Sequence, residues 1–206
     1  MSDHYYSEKP NVESDERDWT FSLRGNTFRF YSDRGVFSKK EVDFGSGLLV
    51  ESFVFPSIEG NILDVGCGYG PIGLTLAKVD HSRQMHMVDV NERALLLAGR
   101  NAERNSISNI TIYKSDCLES VTKTDFSAIV TNPPIRAGKK VVHAIFEQSF
   151  HHLKKDGELW VVIQKKQGAP SAIEKLQSLF QEVEVVVKKK GYYIIRSKKI
   201  DPTCLL

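Results

Sequence analysis

The residue types able to do chemistry are concentrated in residues 61–73, which read NILDVGCGYGPIG. An apolar run ends in Asp64, then Gly66, Gly68 and Gly70 stand at alternate positions, followed by Pro71 and residues at helical spacing. This is the pattern of a buried parallel strand turning sharply into a helix whose first N–H groups face a ligand. Glycine is needed because a side chain would bar a small molecule from the backbone, and because such turns use positive φ. A nucleotide-like cofactor is expected on this turn, with further acids, Asp89 and Asp116, at the ends of later strand-like runs.

Two cofactor classes fit the glycines. Gly68, Gly70 and Gly73 satisfy the dinucleotide spacing G-x-G-x-x-G, and Asp89 lies 21 residues after Gly68, near where a ribose-binding acid belongs. Asp64 weighs the other way. A carboxylate just before the glycines repels a pyrophosphate but attracts an amino group and a sulfonium, and S-adenosylmethionine carries both.

These residues have to be positioned by a framework, and the chain supplies one. Residues 19–32 form two alternating runs around Gly25-Asn26, a β-hairpin signature. A helix begins near Gly45 or Ser46, with Leu48, Leu49 and Phe53 on one face. A helix over about 71–78 and the strand QMHMVDV follow, then a helix capped by Asn91 with Leu95, Ala98 and Ala102 on its face. Strands over 110–114 and 126–130 come next, the second ending in Thr131-Asn132-Pro133-Pro134. A helix over 141–152 leads through Asp156-Gly157 into ELWVVI, and a helix over 170–180 precedes VEVVVKK and YYIIRS. The short Lys190-Gly191 link makes those last two strands antiparallel. The alternation before them requires a parallel sheet covered on both faces. One domain is expected over 19–200, with hairpin and helix in 19–60 and the core in 61–200, behind a mobile acidic tail over 1–18.

This arrangement resembles the class I S-adenosylmethionine-dependent methyltransferases over nearly all of residues 19–200. The resemblance implies a Rossmann-like α/β fold with a seven-stranded, mostly parallel sheet, an antiparallel last strand and helices on both faces. It implies that Asp64, Gly66, Gly68 and Gly70 hold the methionine part of S-adenosyl-L-methionine. Asp89 then falls at the ribose, with Val90 beside it among the cofactor residues, and Asp116 at the adenine amino group, with Cys117 or Leu118 near the ring.

Asn132-Pro133-Pro134 resembles the motif of methyltransferases that act on amino or amide nitrogens, which makes Asn132, Pro133 and Pro134 the expected catalytic residues. An exocyclic amino nitrogen is a poor nucleophile because its lone pair is delocalised. The Asn132 side-chain oxygen and the Pro133 carbonyl can accept its two hydrogens, letting the nitrogen pyramidalise toward the methyl donor. Asn132 thus borders both cofactor and substrate.

The stretch Arg34-Gly35-Val36-Phe37-Ser38, followed by Asp43-Phe44-Gly45-Ser46, resembles the segment ahead of the catalytic domain in the ribosomal RNA small-subunit methyltransferase C family. Those enzymes methylate guanine N2. Phe37 is then expected to stack on a base or cover the cofactor, or else to sit in the core; Asp43 is expected to shape the methionine end or to cap the next helix. Larger members of that family carry a second, degenerate domain that this sequence does not contain. Their motif also continues with an aromatic where this chain has Ile135-Arg136. Ile135, Arg136 and Lys139 are counted with Phe37 as substrate contacts, though Ile135 offers no ring to stack. Methylation of a protein glutamine amide or of adenine N6 by the same Asn-Pro-Pro chemistry stays open.

Charge favours a polyanion. The 206 residues carry a net +2, but residues 1–18 hold six acids and two bases while 136–200 hold fourteen bases and six acids. Arg34, Lys39, Lys40, Arg136, Lys139 and Lys140 are placed to follow phosphates, so RNA, as ribosomal RNA or the small ribosomal subunit, is the expected partner. Cys67, Cys117 and Cys204 are too widely spaced for a disulfide framework or a zinc site, and His151-His152 lacks companion ligands, so no metal is expected. The polar amino terminus and the lack of long apolar runs point to a cytoplasmic protein without a membrane span.

Overall fold

The computed structural model of the chain describes residues 13–36 and 42–200. An antiparallel hairpin comes first, β1 (Arg17–Leu23) and β2 (Asn26–Ser32), followed by α1 (Phe44–Ser52). The core alternates β3 (Ile62–Val65), α2 (Pro71–Val79), β4 (Met85–Asp89), α3 (Glu92–Arg104), β5 (Ile110–Lys114) and β6 (Phe126–Thr131). Then come α4 (Lys139–His152), β7 (Leu153–Gln164), α5 (Ala169–Leu179), β8 (Glu182–Lys189) and β9 (Tyr192–Lys198).

The main sheet has seven strands in the order β5-β4-β3-β6-β7-β9-β8. Its first five strands are parallel, and β9 runs antiparallel to both β7 and β8. The expected Rossmann-like α/β fold, antiparallel last strand and separate hairpin are all present.

Side chains of the central strands alternate between two cores, as the period of a strand requires. Ile62, Met85, Met87, Ala128, Val130 and Trp160 face α1, α2, α3 and the hairpin. Leu63, Val65, Val88, Ile129 and Val161 face α4 and α5. The hairpin is bound to this frame through Asn101 of α3, whose fully buried amide exchanges hydrogen bonds with the Tyr31 backbone and donates to the Tyr69 carbonyl in the glycine turn. Trp19, Phe30 and Tyr69 pack as an aromatic cluster with centroids 5.4 to 5.9 Å apart.

Four local expectations are corrected. The hairpin turn is Arg24-Gly25, not Gly25-Asn26: both residues have positive φ, as a two-residue turn between twisted strands demands, and Asn26 already belongs to β2. Ordered chain begins before Trp19, because β1 starts at Arg17 and residues 14–18 are held down. Asp15 pairs with Arg34, Glu16 with Arg100 and Asp18 with Arg104. The buried face of α3 centres on Ala94, Leu97, Ala98 and Asn101, with Leu95 at its edge. Asp156-Gly157 does not precede β7 but lies inside it as a bulge, with Asp156 at φ 61°.

Candidate active site

The strand register builds the site. Val65 of β3 pairs with Val88 of β4 on one side and Thr131 of β6 on the other, so Gly66, Asp89 and Asn132 leave neighbouring strands at one level. The Thr131 hydroxyl donates to the Val65 carbonyl at 2.9 Å and locks β6 to β3 there. The strand order reverses between these two strands, where open α/β sheets place their ligand crevice, at the carboxyl ends.

A cleft with about 840 Å3 of open space lies at that point, walled by Gly66, Gly68, Asp89, Val90, Cys117 and Asn132 among others. Gly66 and Gly68 have φ of 74° and 57°, and a Cβ on either would meet nothing within 4 Å, so their backbone faces open space. Asp89 is tied to the turn: its Oδ2 accepts from the Gly68 N–H and its Oδ1 from the Asn91 N–H, both at 2.9 Å. Burial raises its pKa, and those backbone donors oppose the rise. Each carboxylate oxygen keeps lone pairs for a hydroxyl. Burial also pushes the Cys67 thiol well up, leaving it a neutral wall residue. A bare backbone cradle beside an acceptor-rich carboxylate fits a ribose-bearing cofactor.

Three expected cofactor residues are not on the wall. Asp64 points to the α2 face of the sheet, fully buried, where its Oδ2 accepts the Gly73 N–H at 2.8 Å and its Oδ1 has no hydrogen-bond partner among the described residues. Burial lifts its pKa to about 7. Gly70 serves packing: a Cβ there would come within 2.7 Å of Leu74 and 3.1 Å of Met87. Asp116 is exposed beside the cleft, between Ser115 and Cys117, which are on the wall.

Asn132, Pro133 and Pro134 do line the cleft. The Asn132 amide nitrogen donates to Asp43 Oδ2 at 3.1 Å and to Ser46 Oγ at 3.0 Å. A carboxylate only accepts, so this pairing fixes which end of the carboxamide is nitrogen and turns Oδ1 the other way. Asp43 also caps α1, accepting the Ser46 N–H at 3.1 Å. Ser46 and Asn91, both on the wall, were not singled out as site residues from sequence; the helix-cap pattern at each was the available signal.

The substrate contacts divide. Phe37, like Lys39 and Lys40, lies outside the described residues. Ile135 and Lys139 line a neighbouring depression with His143 and Ser171, while the Arg136 side chain is exposed on the short 3-10 turn between β6 and α4. Among the described residues, no group of three His, Cys, Asp or Glu is placed to hold a metal ion, and no helix is long and apolar enough to cross a membrane.

Residues 27–196 match the Methyltransferase small domain family. A Bacillus subtilis protein, YbxB, whose function is uncharacterized, is 66% identical over 201 residues, covering 97% of this chain and 100% of its own length. Ribosomal RNA small subunit methyltransferase C of Shewanella amazonensis is 32% identical over 197 residues, covering 93% of this chain and 55% of that protein. Among solved structures, the T. thermophilus 16S rRNA N2 G1207 methyltransferase in complex with AdoMet and guanosine superposes with a TM-score of 0.80 at 26% identity, over 92% of this chain and 52% of that one. The chain thus spans about half the length of these two named methyltransferases.

Proposed function

The chain belongs to the methyltransferase small domain family and is an S-adenosylmethionine-dependent methyltransferase, and from that premise we propose that it methylates the exocyclic N2 amino group of a guanine in RNA, as ribosomal RNA or the small ribosomal subunit, in the cytoplasm. The observation that carries this reading is the Asn132 carboxamide, held nitrogen-inward by Asp43 and Ser46 at the strand end beside the glycine cradle. Its oxygen is thereby committed to receiving a donor, and an amino group is the substrate that has hydrogens to give. The T. thermophilus enzyme, a 16S rRNA N2 G1207 methyltransferase whose complex holds guanosine, supports the choice of nitrogen.

S-adenosylmethionine, when bound, supplies a methyl group made electrophilic by a sulfonium. The chain's residues bind and orient. The Gly66 and Gly68 backbone would hold the methionine part and the Asp89 carboxylate the ribose, with Val90 and Cys117 as walls. Asn132 Oδ1 accepts one N2 hydrogen and the Pro133 carbonyl the other, which localises the nitrogen lone pair for attack. Proline fixes φ and stiffens the carbonyl that precedes Pro134. After transfer the nitrogen carries one proton too many and releases it to solvent.

The test is transfer of labelled methyl from S-adenosylmethionine to RNA, followed by mass analysis of its nucleosides. N2-methylguanosine is the expected product. Label in adenine N6 or in a protein glutamine would refute the guanine reading while keeping the enzyme class.

A further inference from the structure

We propose that the groove between α1 and the β8–β9 turn binds the single-stranded RNA segment adjoining the target nucleotide, stacking a base on Phe44 and seating its phosphates at Lys189 and Lys190. The inference rests on the RNA reading above and adds to it a docking site on this domain.

Topology puts this turn on the active-site side. Tyr192 at the start of β9 pairs with Gln164 at the carboxyl end of β7, so the Lys190-Gly191 turn projects from the sheet end that carries Gly66 and Asn132. Both turn residues have positive φ, 48° and 78°, a tight form that holds Lys189 and Lys190 at one spot. An open groove runs from there past Phe44, Gly47 and Leu48 to Phe21 of the hairpin. Asp43 lines both this groove and the cofactor cleft, so a strand lying in one leads directly into the other.

The chemistry is that of single-strand recognition, which combines cations along the backbone with rings that accept any base face. Phe44 is 37% exposed and leans on Tyr192 with centroids 5.4 Å apart. The Lys190 ammonium sits 4.9 Å from the Phe44 ring centre. A base sliding onto that ring would pass the ammonium to its own phosphate. Of the two carboxylates in the groove, Glu51 is committed to the Arg24 N–H and Asp43 to Ser46 and Asn132.

Charge pairing separates this surface from the basic face of α3. The basic face of α3 is already neutralised: Arg93 pairs with Asp33, Arg100 with Glu16 and Arg104 with Asp18. Lys189 and Lys190 are exposed and make no salt bridge among the described residues; the bridges on these strands use Glu158, Glu184 and Asp156 with Arg196 and Lys198, at other positions. Their counterions are free to be released to a polyanion.

The experiment is fluorescence anisotropy with a short labelled single-stranded RNA, and the same sequence as a duplex, run beside methyl transfer to RNA. The Lys189→Glu/Lys190→Glu variant is expected to bind the single strand at least tenfold more weakly, with the slope of log affinity against log salt lower by about 1.4, two phosphates' worth. Phe44→Ala is expected to weaken binding about tenfold with the slope unchanged. Lys123→Glu, a like charge change before β6 and away from this sheet end, is expected to bind as wild type, and all variants to keep their affinity for S-adenosylhomocysteine. If the wild type methylates RNA but neither groove variant loses more than twofold, the groove is idle and the RNA reading stands. If the losses appear only on the duplex, the single-strand assignment is wrong. Failure of the wild type to bind or methylate RNA overturns the reading and the groove together.

Discussion

Replacing Asp43 with alanine isolates the step that orients the catalytic amide. The carboxylate does two things: it caps α1 through the Ser46 N–H, and it accepts the Asn132 amide hydrogen at 3.1 Å. Loss of the cap costs about 1 kcal/mol of stability. Loss of the charged acceptor removes about 1.5–3 kcal/mol of preference for the carboxamide orientation that presents Oδ1 to substrate. Ser46 Oγ, a neutral partner, holds only part of that preference. At about 1.4 kcal/mol per factor of ten, kcat/KM for RNA should fall about 10- to 100-fold. Calorimetric affinity for S-adenosylhomocysteine should stay within about twofold, because Asp43 acts through Asn132. Asp43→Asn, whose oxygen can take the place of Oδ2 toward both donors, should recover most of the loss. The double variant Asp43→Ala/Asn132→Ala should be no slower than Asn132→Ala alone, the non-additivity expected when one residue works through another. A full, independent loss from Asp43→Ala in the Asn132→Ala background would refute the positioning role, as would wild-type turnover in the single variant.

The glycines of the turn should separate by assay. Gly70→Ala forces a Cβ into Leu74 and should lower stability by about 2–3 kcal/mol in urea unfolding, whereas Gly68→Ala projects into the open cleft and should cost cofactor affinity more than stability. Asp64 predicts a pH dependence. Burial raises it from 3.8 to about 7, so the folded chain keeps a proton that the unfolded chain releases in that interval. Its contribution is therefore full below about pH 4 and declines as pH rises to about 7, by up to about 4 kcal/mol. Asp64→Asn should flatten that decline in urea midpoints of the cofactor-free protein, and an unchanged slope would assign the pH dependence elsewhere.

The glycine turn and the strand ends were legible because their signals are local: a run into Asp64, alternate glycines and a proline that opens α2. Which face Asp64 presents was not, because the direction of a strand's side chains depends on its neighbours rather than on its own residues. Nothing in the sequence marks Cys117 for a left-handed backbone, so the local course of the chain after Asp116 is not legible there. The contact between Asp43 and Asn132 joins residues 89 positions apart, and no periodicity reports such a pair. The acids of residues 15–18 read as a solvated tail; Arg100 and Arg104, one helical turn apart, were the clue that a partner face existed.

Single-turnover methyl transfer by Asn132→Ala, with nucleoside analysis of the product, tests most directly whether a fixed carbonyl makes the guanine amine reactive. Wild type should yield N2-methylguanosine, and the variant the same product at least about 100-fold more slowly, the scale of losing a key oriented acceptor, with S-adenosylhomocysteine affinity falling far less. Undiminished transfer by the variant, or methyl found on another atom, would contradict it.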